Sequence, residues 1–180
     1  MSSALVILAP GFEEIEAVTI IDLLRRANVS VTVAGTQRGW VEGSHEITVK
    51  TDVFFEEVQT DDFDLLVLPG GQPGSDNLKK ETRLLDWIRR RYESGKRIAA
   101  ICAAPGVFHK AGITQNLKIT SYPSEEYLFA KSNYVTDYVV NDKNVITSRG
   151  VGTAIEFALS LISELEGAET SREVRKKILY

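Results

Sequence analysis

Three short runs in this chain are apolar almost throughout, and each stops on residues that turn the backbone. Ala4–Ala9 (ALVILA) meets Pro10-Gly11, Asp64–Leu68 (DLLVL) meets Pro69-Gly70-Gly71-Gln72-Pro73-Gly74, and Ile98–Ile101 (IAAI) meets Cys102 among alanines. Strands without polar alternation are buried on both faces, the habit of parallel sheets covered by helices. The segments between them supply those helices. Glu13–Ala27 puts Val18, Ile21 and Leu24 on one helical face, with Ile20, Leu23 and Ala27 beside it. Asn28 is a stop signal, and Val29–Ala34 rebuilds a strand. Strand, helix and strand in this order predict an α/β fold with right-handed crossovers.

The rest of the chain extends this pattern. Thr36–Gly43 reads as loop, and His45–Asp52 as a short strand at an edge hairpin. Glu81–Tyr92 reads as a helix resting on Leu84, Leu85, Trp87 and Ile88, with Arg89-Arg90-Arg91 solvated. Leu117–Thr120 is a short strand, and Ser124-Glu125-Glu126 starts a helix continued by Tyr127-Leu128-Phe129. Tyr134–Val140 and Asn144–Ser148 predict a hairpin across Asn141-Asp142-Lys143. Gly150-Val151-Gly152-Thr153 opens a helix through Leu165, and Glu169–Leu179 is a final helix. No repeat or linker divides the 180 residues, so one domain, 1–180, is expected.

Composition excludes several roles. The net charge of −4 offers no phosphate-neutralising surface for nucleic acid. The apolar runs are too short to span a bilayer, and MSSALVILAPG lacks the basic start and long apolar core of a secretory signal. A cytoplasmic protein without membrane partners is expected. One cysteine forms no internal disulfide, and with two histidines it is too little for a structural zinc site. No motif asks for a cofactor or a metal.

That single cysteine sits where chemistry is expected. Pro105 suits the first turn of a helix, so Cys102 falls at a strand-to-helix turn, flanked by Ala99, Ala100, Ala103, Ala104 and Gly106. Small neighbours permit the tight geometry of a nucleophile elbow. Free amides at a helix start favour an anion, and a thiol there is expected to ionise below its usual pKa of about 8.5. Four loops, Pro10–Glu16, Pro69–Gly74, Cys102–Pro105 and Arg149–Thr153, fall at the carboxyl ends of predicted strands, where open α/β sheets gather ligands. Glu16 is the carboxylate expected beside the sulfur, as donor when protonated or base when ionised. Glu13 reads as a helix-dipole residue, and Glu14 stays open. The backbone N–H groups of Gly71 and Ala103 are candidates for an oxyanion hole. His109 lies two helical turns beyond Cys102, about 10 Å at 1.5 Å per residue, which is too far for direct pairing. His45 belongs to another segment.

ALVILAPGFEEIEAV, DLLVLPGG, AAICAAP and ITSRGVGTAIEFAL, at these separations, resemble the ThiJ/PfpI superfamily. Within it they resemble the branch of the Parkinson-disease protein deglycase and the bacterial chaperone-like YajL. The resemblance covers nearly the whole chain. It implies a flavodoxin-like three-layer α/β sandwich with a mostly parallel central sheet and a nucleophile elbow, usually as a homodimer. By matched position it makes Cys102 the reactive cysteine, Glu16 its protonated hydrogen-bond partner, and Gly71 and Ala103 the oxyanion-hole backbone. Arg26 and Arg149 match arginines near the pocket and dimer contact. This chain departs at three positions. Tyr122 stands where the deglycase has a pocket histidine that shuttles protons. His45 replaces an arginine near the dimer contact, which makes it a pocket candidate from the partner subunit. Val151 replaces a proline.

The residues and the resemblance together predict a cysteine-dependent glyoxalase or deglycase acting on methylglyoxal-like aldehydes or glycated substrates. A redox-sensing chaperone whose cysteine oxidises to sulfinate uses the same thiol, and the sequence does not separate the two. Amidase or peptidase chemistry needs a histidine that neither His45 nor His109 supplies.

Overall fold

All 180 residues are described by a computed structural model, in which the unbroken apolar runs are the central strands. The first half comprises β1 (Ser3–Leu8), α1 (Glu14–Arg26), β2 (Ser30–Gly35), β3 (Trp40–Glu42), β4 (Thr48–Lys50), β5 (Val53–Phe54), β6 (Leu65–Leu68), α2 (Gly74–Leu78) and α3 (Thr82–Glu93). The second half comprises β7 (Arg97–Ile101), α4 (Pro105–Ala111), β8 (Lys118–Ile119), β9 (Asn133–Tyr134), β10 (Val139–Asp142), β11 (Val145–Ser148), α5 (Ala154–Glu166) and α6 (Ala168–Lys177). Seven strands form one sheet in the order β10-β11-β7-β6-β1-β2-β5. Every neighbouring pair is parallel except the β10–β11 hairpin.

Alternate residues of the central strands feed two cores. Ala4, Val6, Leu8, Val67, Ala99 and Ile101 face α1 and α5, with Val174 of α6 closing the layer. Leu5, Ile7, Leu66, Leu68, Ile98 and Ala100 face α3 and α4. This is the expected three-layer α/β sandwich, and burial on both faces explains why its strands carry no polar alternation. Asn28 does end α1, with φ of 60° just past the cap.

Several local expectations need correction. Part of the Thr36–Gly43 segment is strand, because Trp40–Glu42 pairs antiparallel with Thr48–Lys50 outside the main sheet. Three residues with one inward valine give no readable period. Pro123–Phe129 is a 3₁₀ segment without a side-chain cap rather than a longer helix start. The Tyr134–Val140 run splits, since β9 pairs with β8 in a separate small sheet and only β10 reaches β11. Val18 of α1 faces outward rather than into the core.

The sharpest correction concerns Arg91, which is wholly buried. Its guanidinium donates to the carbonyls of Thr60 (2.7 Å), Phe63 (2.9 Å), Asp64 (3.0 Å) and Arg97 (3.0 Å). It therefore ties the end of α3 to the chain entering β6 and β7 by donating to four of their carbonyls. Buried acceptors left without a donor cost about 1–3 kcal/mol each. Arg91→Met is predicted to lower unfolding free energy in urea by at least about 3 kcal/mol. A loss below about 1 kcal/mol would show that the guanidinium is dispensable.

Candidate active site

β1, β6, β7 and β11 all end at one edge of the sheet, and the loops leaving them are stitched together by backbone hydrogen bonds. Glu13 N donates to Gly70 O (2.9 Å), Gly74 N to Gly11 O (3.0 Å) and Cys102 N to Ser148 O (3.0 Å). Cys102 sits at the centre with φ of 64°, in the left-handed region that side chains other than glycine seldom occupy. Its carbonyl accepts from Tyr122 N at 2.8 Å, so the strained turn is held on both sides. The nucleophile elbow expected from the alanine-rich turn is therefore present.

Glu16, in the first turn of α1, is wholly buried. Glu13 caps that helix by accepting from Glu16 N at 2.7 Å. Gly70 N donates to Glu16 Oε2 at 2.8 Å, whereas Oε1 has no hydrogen-bond partner, and the carboxyl lies beside the Cys102 thiol. Gly70 is what lets acid and thiol share one stretch of backbone. A Cβ there would lie 2.6 Å from Cys102 Cβ and 2.8 Å from Glu16 Oε2. The amides of Gly71 and Ala103 both donate toward Cys102 Sγ. Gly71 reaches that position with φ of 93°, and its missing Cβ would meet Glu13 N at 2.4 Å.

The ionisation of the thiol is set by these surroundings rather than by the helix that follows it. Burial and the adjacent Glu16 carboxylate push the Cys102 thiol up to about 12, against the opposing pull of the Ala103 and Gly71 amides. The helix that follows, α4, is only seven residues long and starts three residues later, so its dipole adds little. Burial likewise raises Glu16 from the ordinary 4.5 to about 7, although Gly70 N and the thiol stabilise its charge. Two such acids titrate as a pair. The first proton leaves near neutrality, and the second is held because a second negative charge would lie beside the first. The remaining proton is shared between oxygen and sulfur: the Gly71 and Ala103 amides favour charge on the sulfur, and Gly70 N favours charge on the carboxyl.

Cys102 opens onto a cleft of about 500 Å³ walled by Tyr122, Tyr138, Arg149 and the Gly150–Thr153 loop. The position a Gly150 Cβ would take is 3.8 Å from Cys102 Sγ and 3.5 Å from the Tyr122 ring. Thr153 Oγ1 braces this wall through Gly150 N (3.1 Å) and Ser148 Oγ (2.7 Å).

The other sequence candidates lie elsewhere within one chain. Arg26 pairs with Asp22 at 2.6 Å and lines a groove with Ile178 and Tyr180, not the cysteine cleft. His45 is exposed and binds Glu14 Oε2 through Nδ1 at 2.9 Å, while its amide donates to Glu14 Oε1 at 2.6 Å. Burial raises the Glu14 carboxyl, but these bonds outweigh it and hold it below its ordinary value. Glu13, Glu14 and His45 bring ligand atoms within 4.8 Å of one another, yet those of Glu14 are already taken by the β3–β4 hairpin. The group bolts that hairpin to the loop before α1. His109 borders a separate hollow with Lys131. Sequence reasoning missed Gly70 as the donor to Glu16, and Tyr138 as a cleft wall. Tyr138 just precedes a strand, and only the fold of the β9–β10 segment turns it toward the sulfur.

The sequence profile of the DJ-1/PfpI family matches residues 2–164. The crystal structure of Drosophila melanogaster DJ-1beta superposes with a TM-score of 0.96 at 46% identity, covering 99% of this chain and 98% of that one. The structure of oxidized Toxoplasma gondii DJ-1 gives a TM-score of 0.96 at 35% identity, covering 100% and 99%. The Caenorhabditis elegans protein named glutathione-independent glyoxalase DJR-1.2 is 34% identical over 178 residues, covering 98% of this chain and 95% of that protein.

The raised Glu16 carboxyl makes a prediction about stability. Its folded pKa exceeds its unfolded one, so the folded state holds the proton more tightly. This contribution is full below pH 4.5 and is lost as pH rises through about 7, a change of about 3 kcal/mol. Urea unfolding of wild type and Glu16→Gln across this range is predicted to diverge by that amount, with wild type losing stability relative to the variant as pH rises. Parallel curves would contradict a buried, proton-holding Glu16.

Proposed function

The chain belongs to the DJ-1/PfpI family, and on that premise we propose that it is a cysteine-dependent, glutathione-independent glyoxalase that also acts on early aldehyde adducts of amines. The observation that supports this reading is the meeting of one thiol, one buried proton-holding carboxyl and two backbone amides at the mouth of an open cleft. A 2-oxoaldehyde offers its aldehyde carbon to the Cys102 thiolate. The new S–C bond sends the carbonyl electron pair onto oxygen, two bonds from where the sulfur charge had been. The Gly71 and Ala103 amides then serve that oxygen, and protonated Glu16 neutralises it.

Glu16, now a carboxylate, takes the proton from the former aldehyde carbon and returns it to the neighbouring carbon by way of an enediol, while the hydroxyl proton passes from the first oxygen to the former ketone oxygen. The product is a thioester of Cys102. Water attacks the thioester, releases the 2-hydroxy acid and restores the thiol. Overall, methylglyoxal and water give lactate, with no external oxidant or reductant. Tyr122 in place of a histidine leaves Glu16 as the proton carrier throughout.

We further place the protein in the cytoplasm as a homodimer. No helix is long and apolar enough to cross a membrane. Ile15 and Val18 on α1, with Trp40 and Ile47 around the β3–β4 hairpin, are large apolar side chains left exposed in one chain. A two-fold contact over them would carry Arg26 and His45 toward a partner's cleft.

A second reading, redox sensing, is favoured by the buried Glu16 carboxyl beside the thiol, one oxygen of which, Oε1, has no partner. Each peroxide gives one oxygen to the thiolate and leaves as water, and a sulfinate would find a carboxylic O–H and two amides waiting. Lactate formation from methylglyoxal tests the first reading. Cys102→Ser is predicted to abolish it, and Glu16→Gln to reduce kcat by about 10²–10⁴. Equal lactate from all three proteins would reject the glyoxalase scheme. Peroxide titration followed by intact mass tests the second. Wild type is predicted to stop at two added oxygens and to change its protection of unfolded clients. Passage to three oxygens without any such change would reject it.

A further inference from the structure

Arg149 stands out among the residues around Cys102. It is the only charged side chain lining the cleft, and its guanidinium forms no salt bridge and no hydrogen bond anywhere in the chain. By contrast Arg25, Arg26, Arg38, Arg83, Arg89, Arg97, Arg172 and Arg175 each pair with a carboxylate. In a chain with 25 acidic residues, a half-buried arginine left without an acid partner at the mouth of a site is available for a ligand's acid. Its backbone is fixed. Gly150 beside it abuts the sulfur and the Tyr122 ring, and Thr153 and Ser148 brace the loop from behind. The remaining walls are flat and apolar. Tyr122 and Tyr138 are both exposed large rings on the same cleft.

From this juxtaposition we infer that the cleft selects aldehydes whose far end carries a carboxylate, with Arg149 as the residue that sets the preference. A planar guanidinium binds a carboxylate through two parallel hydrogen bonds, and the tyrosine rings offer faces to a flat linker. The aldehyde end reaches Cys102, where the thiolate adds to the carbonyl carbon and the oxygen receives the Glu16 proton, giving a reversible hemithioacetal. Water can fill the same space around a small neutral aldehyde, which leaves the guanidinium unused. The inference rests on the Cys102 site proposed above, and it concerns binding rather than turnover.

The test therefore reads occupancy of the cysteine. 4-Formylbenzoate and its methyl ester have the same shape and differ in one negative charge. Each is titrated for protection of Cys102 against alkylation by uncharged iodoacetamide. In the wild-type protein, half-protection by 4-formylbenzoate is predicted at a concentration at least about 10-fold lower than by the ester. Arg149→Met is predicted to erase this gap, and Arg149→Lys to keep part of it. Equal protection by the two compounds in wild type, a gap that survives in Arg149→Met, or no protection by either would overturn the inference. Lactate production from methylglyoxal is measured separately, so a failed glyoxalase scheme and a failed carboxylate preference give different results.

Discussion

Glu16 and Cys102 are two acids buried side by side, and burial lets such a pair carry one negative charge far more readily than two. Burial and the hydrogen bonds around each decide where that charge sits. Gly70 N holds one carboxyl oxygen, while the Gly71 and Ala103 amides point at the sulfur. The other carboxyl oxygen has no hydrogen-bond partner, and the carboxyl interacts with the thiol. A proton moved from sulfur to that oxygen leaves a thiolate with three donors around it. The same proton is then ready for whatever oxygen appears next to the sulfur, whether a hemithioacetal alkoxide or an oxygen delivered by peroxide. One arrangement thus serves both proposed chemistries.

The fold exists in a form that makes this pair unavoidable. Four parallel strands stop at one edge, and their loops have no room for side chains where they cross. Gly70 lies between acid and thiol, and Gly71 folds back against the start of α1. Cys102 is forced into a left-handed turn, anchored to β11 on one side and to Tyr122 on the other. Mobility at this edge would blur a geometry that depends on a single shared proton. The cross-loop hydrogen bonds and the Thr153 brace restrain it.

Much of this was legible in the order of residues. Unbroken apolar runs ending in glycine and proline marked the parallel strands, because burial on both faces removes the need for alternation. The same logic placed Cys102, Glu16, Gly71 and Ala103 at one edge, and the structure brings them together there. What pattern reading lost follows from physics that composition does not display. A charged Arg91 reads as solvated, yet four backbone carbonyls that its guanidinium reaches draw it inside. The thiol was expected to ionise easily because a helix follows it. That helix is short, and the proton that Cys102 shares with Glu16 governs its ionisation instead. Arg26 and His45 were placed at the pocket by resemblance, but within one chain each is engaged by a nearby acid instead. Tyr138 gave no signal, since its place depends on how the β9–β10 segment folds over the cleft.

The shared proton is most directly tested by the rate at which iodoacetamide alkylates Cys102 as pH is raised. Loss of the pair's first proton leaves one negative charge shared between the carboxyl and the sulfur, so the rate is predicted to climb with a midpoint near 7 and then level off. In Glu16→Gln, where no carboxyl can take the proton, burial alone is predicted to move the midpoint above the ordinary thiol value of 9.0. Identical curves for the two proteins, both centred on that ordinary thiol value, would contradict the account.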